Sequence, residues 1–161
     1  LKTLSIGERP VGPVDLHGVL DVCANMAEHD LRHRASLVRK YGPPAWVNAN
    51  EARLGQVFLN LLVNATQAIP ERGMDRNEVR IATSQPDGRS VVIDVVDTGE
   101  GIPSVLRDRI FEPFFTTKES VGTGLGLSIS HSIVTSYGGT IEALPNEPRG
   151  TVIRVTLPLS V

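Results

Sequence analysis

Apolar positions recur at helical spacing in two long stretches of the chain and alternate along several short ones. In "VDLHGVLDVCANMAEHDLRHR", residues Leu16, Leu20, Cys23, Ala24, Ala27 and Leu31 share one helical face, and Asp15 stands where an N-cap belongs. A second helix is predicted from Glu51 to Ile69, ended by Pro70. "ASLVRKYG" and "AWVNAN" are short β-compatible runs separated by Pro-Pro. "EVRIATSQ" and "SVVIDVVD" read as strands joined at "PDGR", whose Asp-Gly pair signals a hairpin. The stretch from Gly99 to Gly122 is crowded with breakers and reads as irregular. "LGLSISHSIVTSYGG" is helical up to a Gly-Gly C-cap, and "TIEALP" with "GTVIRVTLP" forms a closing hairpin. The opening "LKTLSIGERPVGP" (1–13) reads as a linker or the end of a preceding element. Helices mixed with hairpins predict an α+β two-layer sandwich rather than a parallel doubly wound sheet.

The second helix carries an anomaly. Within "FLNLLVNATQAI", Asn60 and Asn64 stand four residues apart and point the same way. Arg53, Gln56 and Gln67 join them in a stripe spanning less than about a quarter of the helical wheel. Leu54, Val57, Phe58, Leu61, Leu62, Ala65 and Ile69 fill the opposite arc. One reading is a narrow solvent face. Such faces are usually built from Lys and Glu, which favour helix more than amides do. The other reading is a cleft floor whose carbonyl oxygens suit a hydrated Mg²⁺.

Bulk properties narrow the field. The chain has 161 residues, 40% hydrophobic and 21% charged, an ordinary globular composition of single-domain size. A net charge of −2 leaves no electrostatic footprint for nucleic acid, and no basic run points to an acidic membrane. Cys23 is the single cysteine, which excludes an internal disulfide and fits a reducing compartment. A start at Leu1 rather than Met suggests a piece of a longer protein.

Two glycine segments add chemistry. "VVDTGEGIP" sets Asp97 at the end of an apolar strand, followed by Gly99 and Gly101. A carboxylate there can accept a hydrogen bond from an exocyclic amine such as that of adenine, and the glycines allow close approach of a planar base. A strand ending in a plain turn is the competing reading. "VGTGLGLSI" places Gly122, Gly124 and Gly126 before a helix, where successive N–H groups and the helix dipole make an anion site. It is neither a P-loop nor a dinucleotide-binding G-x-G-x-x-G. Between the two segments, Phe111, Phe114 and Phe115 gather in a loop and suggest a lid, with Lys118 on its far side.

Taken together and in order, "NLLVNATQAI", "DTGEGI", "FEPFFTTK" and "GTGLGL" resemble the N, G1, F and G2 boxes of the ATP-binding domain of bacterial sensor histidine kinases. That domain belongs to a superfamily shared with gyrase, Hsp90 and MutL. The resemblance covers Val14 to Leu159 and implies the Bergerat fold: a mixed, largely antiparallel sheet of about five strands on about three helices. It implies binding of ATP and Mg²⁺. By resemblance, Asn64 is the Mg²⁺ ligand and Asn60 supports the phosphate and metal site; Asp97 binds the adenine amine; Gly99, Gly101 and Ile102 line the base pocket. Gly122, Thr123, Gly124, Leu125, Gly126 and Leu127 wrap the phosphates, Thr151 assists the adenine site, and Lys118 is a basic lid residue. Gln67 and Ala68 join the nucleotide set, although Gln67 stands where some members have a basic side chain.

The resemblance also distinguishes among members. ATP-hydrolysing relatives have a glutamate four residues before the metal asparagine; Asn60 occupies that position here and cannot act as a general base. This favours phosphoryl transfer to a histidine in a separate dimerisation domain. None of the four histidines matches the acceptor pattern: "HDLRHRA" lacks the expected proline, and His29 with His33 has no third partner for a zinc site. The implied partners are the phosphoacceptor domain of the same protein and a response regulator receiver domain, with a monomeric fragment and a homodimeric parent. A cytoplasmic location is expected, whether the parent is soluble or membrane-anchored. Two alternatives remain: a degenerate docking module without catalysis, and an anti-sigma-factor-like serine kinase, which usually keeps the glutamate.

Overall fold

The computed structural model describes residues 10–70, 77–115 and 126–161. In chain order the elements are β1 (Gly12–Asp15), α1 (Leu16–Leu31), β2 (Ser36–Lys40), β3 (Trp46–Ala49), α2 (Glu51–Ala68), β4 (Glu78–Ser84), β5 (Ser90–Asp97), α3 (Gly126–Ser136), β6 (Thr140–Pro145) and β7 (Thr151–Pro158). Two 3₁₀ turns, Ser104–Leu106 and Arg109–Phe111, interrupt the otherwise irregular residues 98–115 after β5. A five-stranded sheet has the order β2-β4-β5-β7-β6; β2 runs parallel to β4 and every other pairing is antiparallel. This is the mixed α+β two-layer sandwich expected from the pattern.

The alternation of each strand decides which face the helices cover. Val79, Ile81, Val91, Ile93, Val95, Ile153, Val155 and Leu157 point inward and are buried. The outer face stays wet and carries ion pairs instead: Arg154 makes two bonds to Asp94, at 2.9 and 3.0 Å, and Arg80 reaches Glu78 at 3.0 Å. The inward row of β5 ends on Asp97, opposite Thr151 of β7 and Val79 of β4. Both Asp97 and Thr151 are buried, so a carboxylate closes a row that is otherwise hydrocarbon.

α2 lies centrally, packed on α1 along one flank and α3 along the other. Leu54, Val57, Phe58, Leu61, Leu62, Ala65 and Ile69 are all buried, as the periodicity predicts. Asn50 starts the helix, its side-chain oxygen accepting the Arg53 amide at 3.1 Å. Asp15 takes the corresponding position of α1, but its side chain makes no capping bond. Cys23 packs between these helices, its thiol donating to the Gly55 carbonyl at 3.3 Å, and burial pushes that thiol up.

Gly12 and Pro13, which read as linker from their composition, form the first half of β1. They pair with Ala49 and Asn48 of β3 in a small second sheet. The predicted hairpin at "PDGR" is present. Gly88 takes the left-handed backbone (φ 70°), and the Asp87 carboxylate accepts the amides of Arg89 and Ser90 at 2.9 Å each. Those two amides hold Asp87 below the usual carboxylate range, so the turn keeps this support until pH falls through that lowered value.

Candidate nucleotide site

The polar stripe of α2 runs along the helix between two other elements. Near its middle, the Asn60 side-chain amide donates to the Gly126 carbonyl at 3.4 Å, at the first turn of α3. At its end, the Ala68 carbonyl accepts the Glu100 amide at 3.3 Å, in the loop after β5. From Asn60 to Ala68 is about 12 Å along the axis. Asn64 lies one turn beyond Asn60 on the same face, and both amides are half-buried. α2 thus joins the start of α3 to the Asp97 loop, with the asparagines between.

Backbone contacts shape that loop tightly. The Gly99 amide donates to the Asp97 carboxylate at 2.8 Å. A methyl group on Gly99 would lie 2.3 Å from the Ala68 carbonyl oxygen, closer than any side chain can approach, so only glycine fits against the end of α2. Gly101 has φ 78°, in the left-handed region, and directs the chain toward Ile102, which packs on the core. Thr98 ties the loop to the sheet by accepting the Glu78 amide at 2.9 Å.

A second set of residues holds the loop from the far side, and the motif reading did not single them out. They lie in the turn between β6 and β7. Asn146 donates from its side chain to the Asp97 carbonyl at 3.0 Å, and Arg149 donates from Nε to the Gly99 carbonyl at 2.9 Å. Gly150, at φ 111°, rests so close to the Asp97 carbonyl that a methyl group would lie 1.8 Å from that oxygen. The sequence signal was Gly150 beside Thr151, visible only as the start of a strand.

The structure therefore brings together Asn60, Asn64, Ala68, Asp97, Gly99, Gly101, Ile102, Gly126, Leu127 and Thr151 along α2 and its two neighbours. Gln67 sits at the end of the same helix with its side chain exposed. Lys118, Gly122, Thr123, Gly124 and Leu125 lie outside the described residues. The aromatic loop divides: Phe111 and Phe115 pack against the core while Phe114 is 73% exposed with φ 66°. Arg109 covers the Phe115 ring at 5.2 Å, and Phe111 lies 5.9 Å from His131 of α3.

His17, His29 and His131 are engaged in structural contacts. His17 bonds Thr83 at 2.8 Å and stacks on Tyr41, and His29 bonds Arg32 at 2.6 Å. Among the described residues no three His, Cys, Asp or Glu side chains could hold a metal ion. A metal at this site would be held by amide oxygens. A buried carboxylate beside glycine backbone suits a purine amine, and half-buried amides near a helix start suit a metal–phosphate group. The residues present fit a Mg²⁺–nucleotide.

Residues 49–161 match the family model described as "Histidine kinase-, DNA gyrase B-, and HSP90-like ATPase". The chain is 37% identical over 157 residues to the sensory histidine kinase/phosphatase NtrB of Azospirillum brasilense, covering 91% of this chain and 39% of that protein. It thus spans about two-fifths of that curated relative. A solved structure of full-length ShkA in complex with AMPPNP superposes with TM-score 0.80 at 29% identity, over 94% of this chain and 31% of the other. A structure of the histidine kinase ThkA in complex with the response regulator protein TrrA superposes at 0.77 with 27% identity, over 93% and 42%.

Proposed function

The chain belongs to the histidine kinase-, DNA gyrase B- and HSP90-like ATPase family, and from that premise we propose that it binds Mg²⁺–ATP for phosphoryl transfer to a histidine on another domain. The parent is then a two-component sensor kinase, active as a homodimer, whose phosphoryl group passes on to a response regulator receiver domain. The observation that carries the reading is the span of α2: its asparagines lie between the start of α3 and a glycine loop bearing the buried Asp97.

Asp97 accepts a hydrogen bond from the adenine amine, a contact that a base lacking the amine cannot make. Gly99 and Gly101 let the ring lie against the backbone, with Ile102 as its apolar wall and the Thr151 hydroxyl beside Asp97. Asn60 and Asn64 present amides to the metal and phosphate end, Asn64 as metal ligand. Bound Mg²⁺ supplies neutralisation of charge on the transferred group. Asn60 has no basic atom, so it does not activate water, and the nucleophile is the imidazole of the acceptor. Titrating the chain with ADP and a non-hydrolysable ATP analogue, with and without Mg²⁺, tests this. Binding strengthened by Mg²⁺ and lost in Asp97→Asn is expected; wild-type chain that binds neither nucleotide would refute it.

A further inference from the structure

We infer that Arg149 and Asn146, in the β6–β7 turn, are positioning residues that set the purine selectivity of the Asp97 site. The inference rests on the reading of Asp97 as the adenine-amine acceptor. Its basis is a short chain of contacts. Arg149 Nε donates to the Gly99 carbonyl at 2.9 Å, and the Gly99 amide donates in turn to the Asp97 carboxylate at 2.8 Å. One glycine therefore separates an exposed guanidinium from the carboxylate that reads the base. Asn146 fixes the other end of the same segment through the Asp97 carbonyl, and its own side chain is tied to the Arg149 carbonyl at 3.1 Å. Its backbone amide closes the turn on the Gly150 carbonyl at 3.0 Å.

The segment needs an external hold. Gly99 and Gly101 leave the backbone between Asp97 and Ile102 more conformations than any other residues would. On the helix side the loop is met by the Ala68 carbonyl, which accepts the Glu100 amide and abuts Gly99. On the strand side Asn146, Arg149 and the close-packed Gly150 meet it. Discrimination by a hydrogen bond depends on a carboxylate held at a fixed angle, because a mobile one turns away from an unsuitable base at little cost. Loss of Arg149 thus acts first on the contrast between bases and only weakly on the phosphate end, where the asparagines lie.

The test compares ADP with IDP, which has an oxygen in place of the adenine amine, by calorimetry on the wild-type chain and on Arg149→Ala, Arg149→Lys and Asn146→Ala. Wild-type chain should prefer ADP. Arg149→Ala should weaken ADP about fivefold to tenfold, the loss of one hydrogen bond's worth of positioning, and leave IDP nearly unchanged. Arg149→Lys, which keeps a donor, should recover part of the preference, and Asn146→Ala should lose it as Arg149→Ala does. Thermal unfolding of each variant separates positioning from general destabilisation, since lower stability weakens both nucleotides together. An unchanged ADP/IDP ratio in both alanine variants would overturn the inference while leaving Asp97 as the reader. Wild-type chain that binds both nucleotides equally would overturn the Asp97 reading, and the inference with it.

Discussion

Gly99 is squeezed between a helix end and a guanidinium, and the substitution Gly99→Ala would press a methyl group into the Ala68 carbonyl. The helix end is anchored by the core, so the loop must yield. Gly99→Ala is expected to lower stability by about 1–3 kcal/mol in urea unfolding and to weaken ADP binding more than that loss alone implies. Asn64 gives the complementary case. It is half-buried on the polar face of α2, so Asn64→Ala should leave the unfolding midpoint nearly unchanged and remove the Mg²⁺ dependence of nucleotide binding, read by titration with and without the ion. Equal Mg²⁺ enhancement in the variant would take Asn64 out of the metal role. Residues of this kind were legible because the helical period betrays them: two amides at i and i+4 stand out against leucines. Arg149 was not legible. It lies 50 residues from Gly99, and no local pattern announces that an arginine in a turn will hold a glycine carbonyl in another loop.

Among the elements, α2 has the largest consequences, because its middle meets the start of α3 and its C-terminal end meets the Asp97 loop. Its N-cap is a single side chain. Asn50→Ala should cost about 1 kcal/mol, measured as a lower denaturation midpoint with unchanged slope. α3 offers the opposite change. Ser130 is fully buried, and among the described residues its hydroxyl is the buried side-chain group without a partner. Ser130→Ala should therefore raise stability by about 1 kcal/mol, and a fall in midpoint would mean that the hydroxyl is satisfied in solution. Among the described residues, the pattern located the three α-helices and all strands but one. β1 was missed because Gly12 and Pro13 are breakers by local preference, and what makes them a strand is the neighbouring β3. Pairing with a partner is invisible to a residue's own propensity.

At the scale of the whole molecule, the sheet turns one face to the helices and one to water. The wet face carries Arg154–Asp94 and Arg80–Glu78, and the edge strand β2 ends in Arg39 and Lys40. Charges on a face and an edge oppose stacking and edge-to-edge pairing. The chain should run as a monomer in size-exclusion chromatography at micromolar concentration, and a stable dimer there would contradict this account of its surface. Order within the sheet carries one more consequence. β7 is the last strand of the sheet in chain order, yet it lies between β5 and β6 and places Thr151 beside Asp97. During synthesis at about 5–20 residues per second, β2, β4 and β5 are made before that central strand. Until it emerges, β5 presents an open edge of valines and isoleucine, and Asp97 lacks its neighbour Thr151. The pairing of Asp97 with Thr151 is therefore completed only when the sheet closes.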